Sequence, residues 1–238
     1  MKIDIFNTYD ELSQKAKELI VQEIEQDKNL LLCTATGGSP TRTYELLGKA
    51  YHEQPGLFSG LRIIKLDEWG GIPLDQPGTC ESYLEKHVLQ PLQIPEGRYT
   101  GFNSNPENPN KECERVQDKL RKEGRIGLCI LGIGENGHIA FNEPAEFLEP
   151  FCHKAELSEM SLQHKMASGM QIKPTYGLTL GMADILHSKM IIILIHGTQK
   201  KEIVKKFLAK EISSSLPASF LWLHPNVICL IDSNAYES

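Results

Sequence analysis

The chain predicts an α/β fold: a largely parallel, doubly wound sheet with helices on both faces. Three observations carry that expectation. Short apolar runs alternate with amphipathic helical segments along most of the 238 residues, the pattern of parallel strands joined by crossover helices. Glycine turns at 37–38, 132–137 and 197 each follow a strand-like run, where open α/β sheets bind ligands. No repeat, low-complexity tract or linker divides the chain, so residues 1–238 are expected to form one domain.

Taken in order, residues 3–6 form a short strand. Thr8 then caps a helix over about 9–26, with Glu11 as its capping-box partner. Leu12, Ala16, Leu19, Ile20 and Ile24 recur there at helical spacing. Residues 29–35 read as a buried strand, and Pro40 opens a helix that runs through Tyr44, Leu46 and Leu47. A strand over 62–66 and a helix over 80–89 follow. The Asn- and Pro-rich stretch 103–110 is a loop, leading to a helix over 111–122 and a strand over 126–131. Residues 150–176 carry few regular signals. A strand over 190–195, a helix over 200–209 and a strand over 227–231 complete the pattern, with right-handed crossovers.

Composition narrows the function. A net charge of -6 argues against nucleic acid as a partner, because phosphate contacts need a basic face. No apolar run approaches the ~20 residues that span a bilayer, and residues 1–6 lack the apolar core of a signal peptide. Six cysteines, at 33, 80, 113, 129, 152 and 229, form no Cys-x-x-Cys pair, so neither a zinc site nor a redox motif is indicated. Cys33, Cys129 and Cys229 lie in strand-like runs as small core residues. A reducing cytoplasm is the expected compartment.

Four places at strand ends could carry chemistry. Thr36-Gly37-Gly38-Ser39-Pro40 joins a strand to a helix, and backbone N–H groups there make an anion site for phosphate; a plain turn with Ser39 as helix cap is the competing reading. Asp67-Glu68 follows the next strand. Adjacent strand residues face opposite ways, so only one of the two faces a given cleft, and a buried carboxylate there gains basicity. Gly132-Ile133-Gly134-Glu135-Asn136-Gly137-His138 delivers an imidazole, with Glu143 placed to orient it. Lys200, after the strand at 190–195, is a point charge for phosphate, although Lys201, Lys205, Lys206 and Lys210 suggest a merely solvated helix. Together these groups point to an enzyme for a phosphorylated substrate.

The motifs resemble those of the glucosamine-6-phosphate deaminase/isomerase family, related to 6-phosphogluconolactonases. The matching residues are Thr36-Gly37-Gly38-Ser39-Pro40, Leu66-Asp67-Glu68, the run 134–144, Gly197-x-Gln199-Lys200 and Leu223-His224-Pro225. Within the family, Lys65 to Trp69, Pro77-Gly78-Thr79-Cys80-Glu81, Cys113-Glu114-Arg115-Val116, Gln163-His164 and 217–224 look closest to galactosamine-6-phosphate isomerases/deaminases. The resemblance implies a single-domain, modified Rossmann-like fold and conversion of a 2-amino-2-deoxyhexose 6-phosphate to a ketohexose 6-phosphate and ammonia. It makes Asp67, His138, Glu143 and Asn136 catalytic, and Thr36, Gly37, Gly38, Ser39, Glu68, Lys200 and His164 the residues that hold substrate and phosphate.

It also implies that no metal or organic cofactor is needed and that the partner is a small-molecule sugar phosphate; a homo-oligomer is compatible with the sequence. Two positions depart from the family pattern. Asn136 stands where its deaminases usually carry aspartate, and no arginine lies between Ser158 and Gly169 to bind phosphate, so His164 or Lys165 substitutes. The competing functions are a glucosamine-6-phosphate deaminase, a 6-phosphogluconolactonase-like hydrolase and a non-catalytic sugar-phosphate sensor. Glu143 speaks against the hydrolase, and the lack of a spare segment for a partner module speaks against the sensor.

Overall fold

The structure is a computed structural model that describes residues 1–73, 76–163 and 165–236, with Lys165 in its backbone only. In chain order the strands are β1 (Lys2–Phe6), β2 (Leu31–Thr34), β3 (Arg62–Lys65), β4 (Asp67–Gly70) and β5 (Tyr99–Thr100). They continue with β6 (Leu128–Leu131), β7 (His153–Ala155), β8 (Tyr176–Thr179), β9 (Met190–Ile195) and β10 (Val227–Asp232). The helices are α1 (Tyr9–Gln26), α2 (Gly38–Glu53), α3 (Cys80–Leu84), α4 (Pro109–Glu123), α5 (Glu159–Leu162), α6 (Lys165–Ser168), α7 (Met182–Leu186) and α8 (Lys201–Leu208).

Among the described residues, seven strands form one sheet in the order β1-β10-β9-β6-β2-β3-β5, and every pairing in it is parallel. β2, β6 and β9 are buried along their whole length, as strands covered on both faces must be. Alternate residues feed opposite faces. Cys33, Ile64, Leu131 and Ile193 pack with Val116 of α4 and Ile203 and Phe207 of α8. Leu32, Ile63, Ile130 and Ile192 pack with Leu12, Ala16, Ile20 and Ile24 of α1 and with Tyr44 and Leu47 of α2. Each of those helical Leu and Ile side chains contributes about 1.5–3 kcal/mol by leaving water. The doubly wound expectation holds, and Cys33, Cys129 and Cys229 are fully buried.

The start of α1 follows its local sequence. Thr8 Oγ1 accepts from the Glu11 N–H at 3.2 Å, and Glu11 Oε2 accepts from the Thr8 N–H at 3.2 Å, closing the capping box. α2 begins at Gly38, two residues before the expected Pro40, because a proline in the first helical turn removes an N–H that has no intrahelical acceptor. α3 and a wider turn over Glu85–Leu89 together fill the helix expected at 80–89. No described helix is long and apolar enough to cross a membrane.

A second sheet was not anticipated. β4, β8 and β7 pair antiparallel, with Asp67 opposite Thr179. Leu66 is the handover residue: its N–H donates to Thr34 O of the large sheet at 3.2 Å, and its carbonyl accepts from the Leu180 N–H at 3.0 Å. The chain therefore leaves the parallel sheet one residue before Asp67. β7 and β8 take up part of the stretch that shows no regular pattern in the sequence.

Candidate active site

The sheet order places the four candidate motifs side by side. β9, β6, β2 and β3 are consecutive neighbours and run parallel, so the turns after them share one edge. The strand order also reverses there, since the chain passes from β2 outward through β3 to β5 and then returns to β6 on the other side. Such a reversal opens a crevice beyond the carboxyl ends of the strands. The turn after β2 and the glycine loop after β6 flank it.

Gly37 ends the first turn with φ of 107°, which favours glycine. No side chain caps α2, so Ser39 does not act as a helix cap and the first-turn N–H groups remain available to an anion. The turn is braced from behind. The Gly37 carbonyl accepts from Thr41 Oγ1 at 2.8 Å and from the Tyr83 hydroxyl at 3.0 Å, while the Tyr9 hydroxyl lies 2.6 Å from Gly38 O. His196 stacks on Tyr9 with ring centroids 4.1 Å apart, and burial lowers its pKa. Lys200 is half-buried and donates to Ile133 O at 2.8 Å; burial lowers its pKa against a smaller, opposing pull from Glu135. Ser39 Oγ approaches the Cβ position of Gly132 to 3.8 Å. Ser39 and Lys200 thus meet at the start of the histidine loop.

In that loop the imidazole of His138 lies flat against Gly134, where any Cβ would collide with it. Gly137 turns at φ of 91°. His138 Nδ1 is 3.3 Å from Glu143 Oε2, an ion-pair distance without an aligned hydrogen bond. Asn136 ties the pair together: its Nδ2 donates to Glu143 Oε2 at 2.8 Å, and its Oδ1 accepts from the His138 N–H at 3.1 Å. Glu143 Oε1 accepts from the hydroxyls of Ser158, at 3.2 Å, and Ser161. Burial would raise the Glu143 pKa, but His138, Ser161 and Asn136 outweigh it and hold the group at about 2. Glu143 is therefore an anion at neutral pH.

Asp67 opens β4 and is nearly buried. Burial raises its pKa to about 7, the neighbouring Glu68 charge adds to the rise, and Lys65 and the Cys80 thiol oppose it. The histidine loop closes onto the same small sheet: the Phe141 N–H donates to Oγ1 of Thr179, the partner of Asp67, at 3.3 Å. Trp69 and Phe141 meet with ring centroids 4.5 Å apart.

Glu68 requires a correction. It was expected to meet substrate, yet it is fully buried and every lone-pair direction is occupied. Oε1 accepts from the N–H groups of Trp69 and Cys80, both at 2.8 Å, and Oε2 accepts from Glu81 N–H at 2.8 Å and Lys65 Nζ at 2.7 Å. Strand alternation turns it away from Asp67, and a carboxylate in the core demands such donors. Lys65, itself fully buried, also pairs with Glu81 and donates to Phe102 O at 2.9 Å. Glu68 anchors α3 to β4.

Thr36 reaches Cys80 Sγ at 3.3 Å, so it too sits beside the Asp67 cluster. His164 lies outside the described residues. Among those residues, no three or more His, Cys, Asp or Glu side chains converge as a metal site would require. Ser158, Ser161 and Cys80 belong to this neighbourhood and were not foreseen. Ser158 had one local signal, as the N-cap of a short helix, where it accepts from the Ser161 N–H at 3.1 Å.

Comparison with known proteins identifies the fold and the family. The signature of the family described as glucosamine-6-phosphate isomerases/6-phosphogluconolactonase matches residues 6–229. The putative deaminase AgaI of Escherichia coli (strain K12) is 41% identical over 94% of this chain and 89% of its own length. The solved structure of a monomeric glucosamine-6-phosphate deaminase superposes with a TM-score of 0.93 at 35% identity, covering 99% of this chain and 98% of that one. A 6-phosphogluconolactonase from Trypanosoma brucei shares the fold, with a TM-score of 0.75 at 22% identity over 98% of this chain and 97% of its own. The chain belongs to the family of glucosamine-6-phosphate isomerases and 6-phosphogluconolactonases.

Proposed function

We propose that this chain is an amino-sugar-phosphate isomerase/deaminase, converting galactosamine 6-phosphate to tagatose 6-phosphate and ammonia. One observation carries the reading: a carboxylate whose burial raises its pKa to about 7 stands on the sheet edge that also holds an uncapped helix N-terminus and a His–Glu pair. A C2–H beside an aldehyde is a weak carbon acid, so its removal needs a positioned, desolvated base with a pKa near the working pH.

The reaction assigns each residue a proton or a charge. The N–H groups of Gly38 and Ser39, with Thr36 and Lys200, hold the phosphate. His138 moves the proton from the C1 hydroxyl to the ring oxygen, opening the sugar, while Glu143 and Asn136 fix the imidazole. Asp67 takes the C2 proton to leave an enolamine and returns it to C1, giving the 2-imine. Water adds at C2 and ammonia departs, leaving the ketose. Every step is a proton transfer, a hydration or an elimination, so side-chain acids and bases suffice.

The galacto epimer is favoured by the resemblance at 65–69, 77–81, 113–116 and 217–224. Glucosamine 6-phosphate is the second reading, supported by the deaminase at 35% identity. Ammonia release from both epimers, measured side by side with a glutamate dehydrogenase couple, tests both. Faster turnover of galactosamine 6-phosphate is expected. Release from neither epimer, together with hydrolysis of 6-phosphogluconolactone, would overturn the proposal.

A further inference from the structure

Cys80 has a place that the reaction scheme leaves unused. It is the first residue of α3, after the N-cap Thr79, and its side chain is buried. Its N–H is fastened to Glu68 Oε1 at 2.8 Å, which fixes the backbone from which the thiol projects. Two partners meet at the sulfur. Thr36 Oγ1 donates to Sγ at 3.3 Å, and Sγ donates to Asp67 Oδ1 at 3.8 Å.

Chemistry fixes the direction of this path. Burial keeps the thiol protonated far above its ordinary range, and the Glu68 and Asp67 charges add to that, so Cys80 is a neutral donor and no nucleophile. The Thr36 hydroxyl hydrogen occupies a sulfur lone pair, which leaves the single S–H for the carboxylate. Among the described residues no donor reaches Asp67 Oδ2. One oxygen of the carboxylate is held while the other stays open.

We propose that Cys80 is a positioning residue, whose thiol aims the free oxygen of Asp67 at the substrate and links the base to the phosphate-binding turn through Thr36. This rests on the reading of Asp67 as the base. A phosphate that engages Thr36 alters the hydroxyl that holds the sulfur, so ligand arrival and carboxylate orientation share one chain of contacts.

The charged and titratable groups coupled electrostatically to Asp67 are Lys65 and Glu68 on its own segment, Cys80 from α3, Cys33 from β2 and Tyr44 from α2. β8 presents the uncharged Thr179 opposite. Of these, Cys80 is the one whose removal takes away a hydrogen bond without removing a charge.

Three variants test the idea: Cys80→Ala, Cys80→Ser and Thr36→Val. Loss of one neutral hydrogen bond is expected to lower kcat about tenfold in Cys80→Ala, with KM within about twofold of wild type. Losing a donor to the carboxylate also moves the acidic limb of kcat/KM to higher pH. Cys80→Ser should restore both in part, since its hydroxyl is a donor on the same Cβ but on a shorter bond than the thiol, and Thr36→Val should show a smaller shift of the same sign. A substrate-free readout accompanies these: the 13Cγ resonance of Asp67, assigned by its loss in Asp67→Asn, should titrate higher in Cys80→Ala than in wild type. If Cys80→Ala keeps the wild-type titration, or if Cys80→Ser is as impaired as Cys80→Ala, the thiol merely fills space and the proposal falls. Should wild-type protein release no ammonia from either hexosamine 6-phosphate, the deaminase reading fails separately, and the Asp67 titration still decides the role of Cys80.

Discussion

Asp67→Asn should stabilise the folded chain while abolishing turnover, and the gain should depend on pH. Burial, with help from the Glu68 charge, lifts this carboxyl from 3.8 to about 7. An acid whose folded value exceeds its unfolded one holds its proton more tightly when folded. Folding stability therefore falls as pH rises between those two values, and the penalty is complete above the folded one. At about 1.4 kcal/mol per pH unit the penalty reaches about 4 kcal/mol. The neutral amide escapes it. The difference in unfolding free energy between variant and wild type should thus widen by about 4 kcal/mol from pH 4 to pH 8 and then level off. In a chain of this size that is a gap of about 10 °C in melting midpoint. Urea unfolding of both proteins across that range measures it directly. A difference that stays flat with pH would mean that burial does not raise the carboxyl, and residual ammonia release by the variant would remove Asp67 as the base.

Two further substitutions probe the supports of the site. Lys65→Met leaves Glu68 charged and buried without its ammonium, and breaking one half of a buried pair costs about 3–5 kcal/mol; a loss below about 1 kcal/mol in urea unfolding would show that the three N–H groups alone satisfy Glu68. Asn136→Asp exchanges a donor 2.8 Å from Glu143 Oε2 for a second carboxylate. Glu143, held at about 2, adds stability that is present above its unfolded value near 4.5 and is lost as pH falls through the folded one, worth about 3 kcal/mol in full. With a like charge beside it the folded value rises, so the acid-unfolding midpoint should move to higher pH. An unchanged midpoint would show that the amide is no partner of Glu143 in solution.

Much of the large sheet was legible because its signals are local. The capping box at Thr8 and Glu11, the apolar run of β9 and the turns at Gly37 and Gly137 each declare themselves within a few residues. The shared rim followed from those turns and one rule about parallel sheets. The second sheet was not legible, since its strands are three or four residues long and its central pairing joins Asp67 to Thr179, too far apart in sequence for any local pattern. Ser158 and Ser161 escaped as partners of Glu143 for a related reason: they lie 15 and 18 residues from it along the chain, in the stretch that carries few regular signals. Glu68 is different: strand alternation already says that only one of the two adjacent acids faces a given cleft, but not which one.

The part that escaped the sequence is also the part that raises the basicity of Asp67. Had β3 run on straight past Leu66, Asp67 would have ended at the solvated tip of a parallel strand, with the ordinary acidity of an exposed carboxylate. Instead the chain crosses at Leu66 into the antiparallel sheet, and β8 covers Asp67 from one side while α3 covers it from the other. Glu68 is what holds that crossing in place, because its carboxylate collects N–H groups from both β4 and the first turn of α3. Two adjacent acids thus receive opposite environments from one strand. Glu68 is saturated with donors and serves as an anchor, whereas Asp67 has, among the described residues, only the Cys80 thiol on one oxygen and burial around it. Basicity at Asp67 arises from what the fold withholds from it, so a variant that added a donor to its free oxygen would be more stable at neutral pH and slower at removing a proton from carbon.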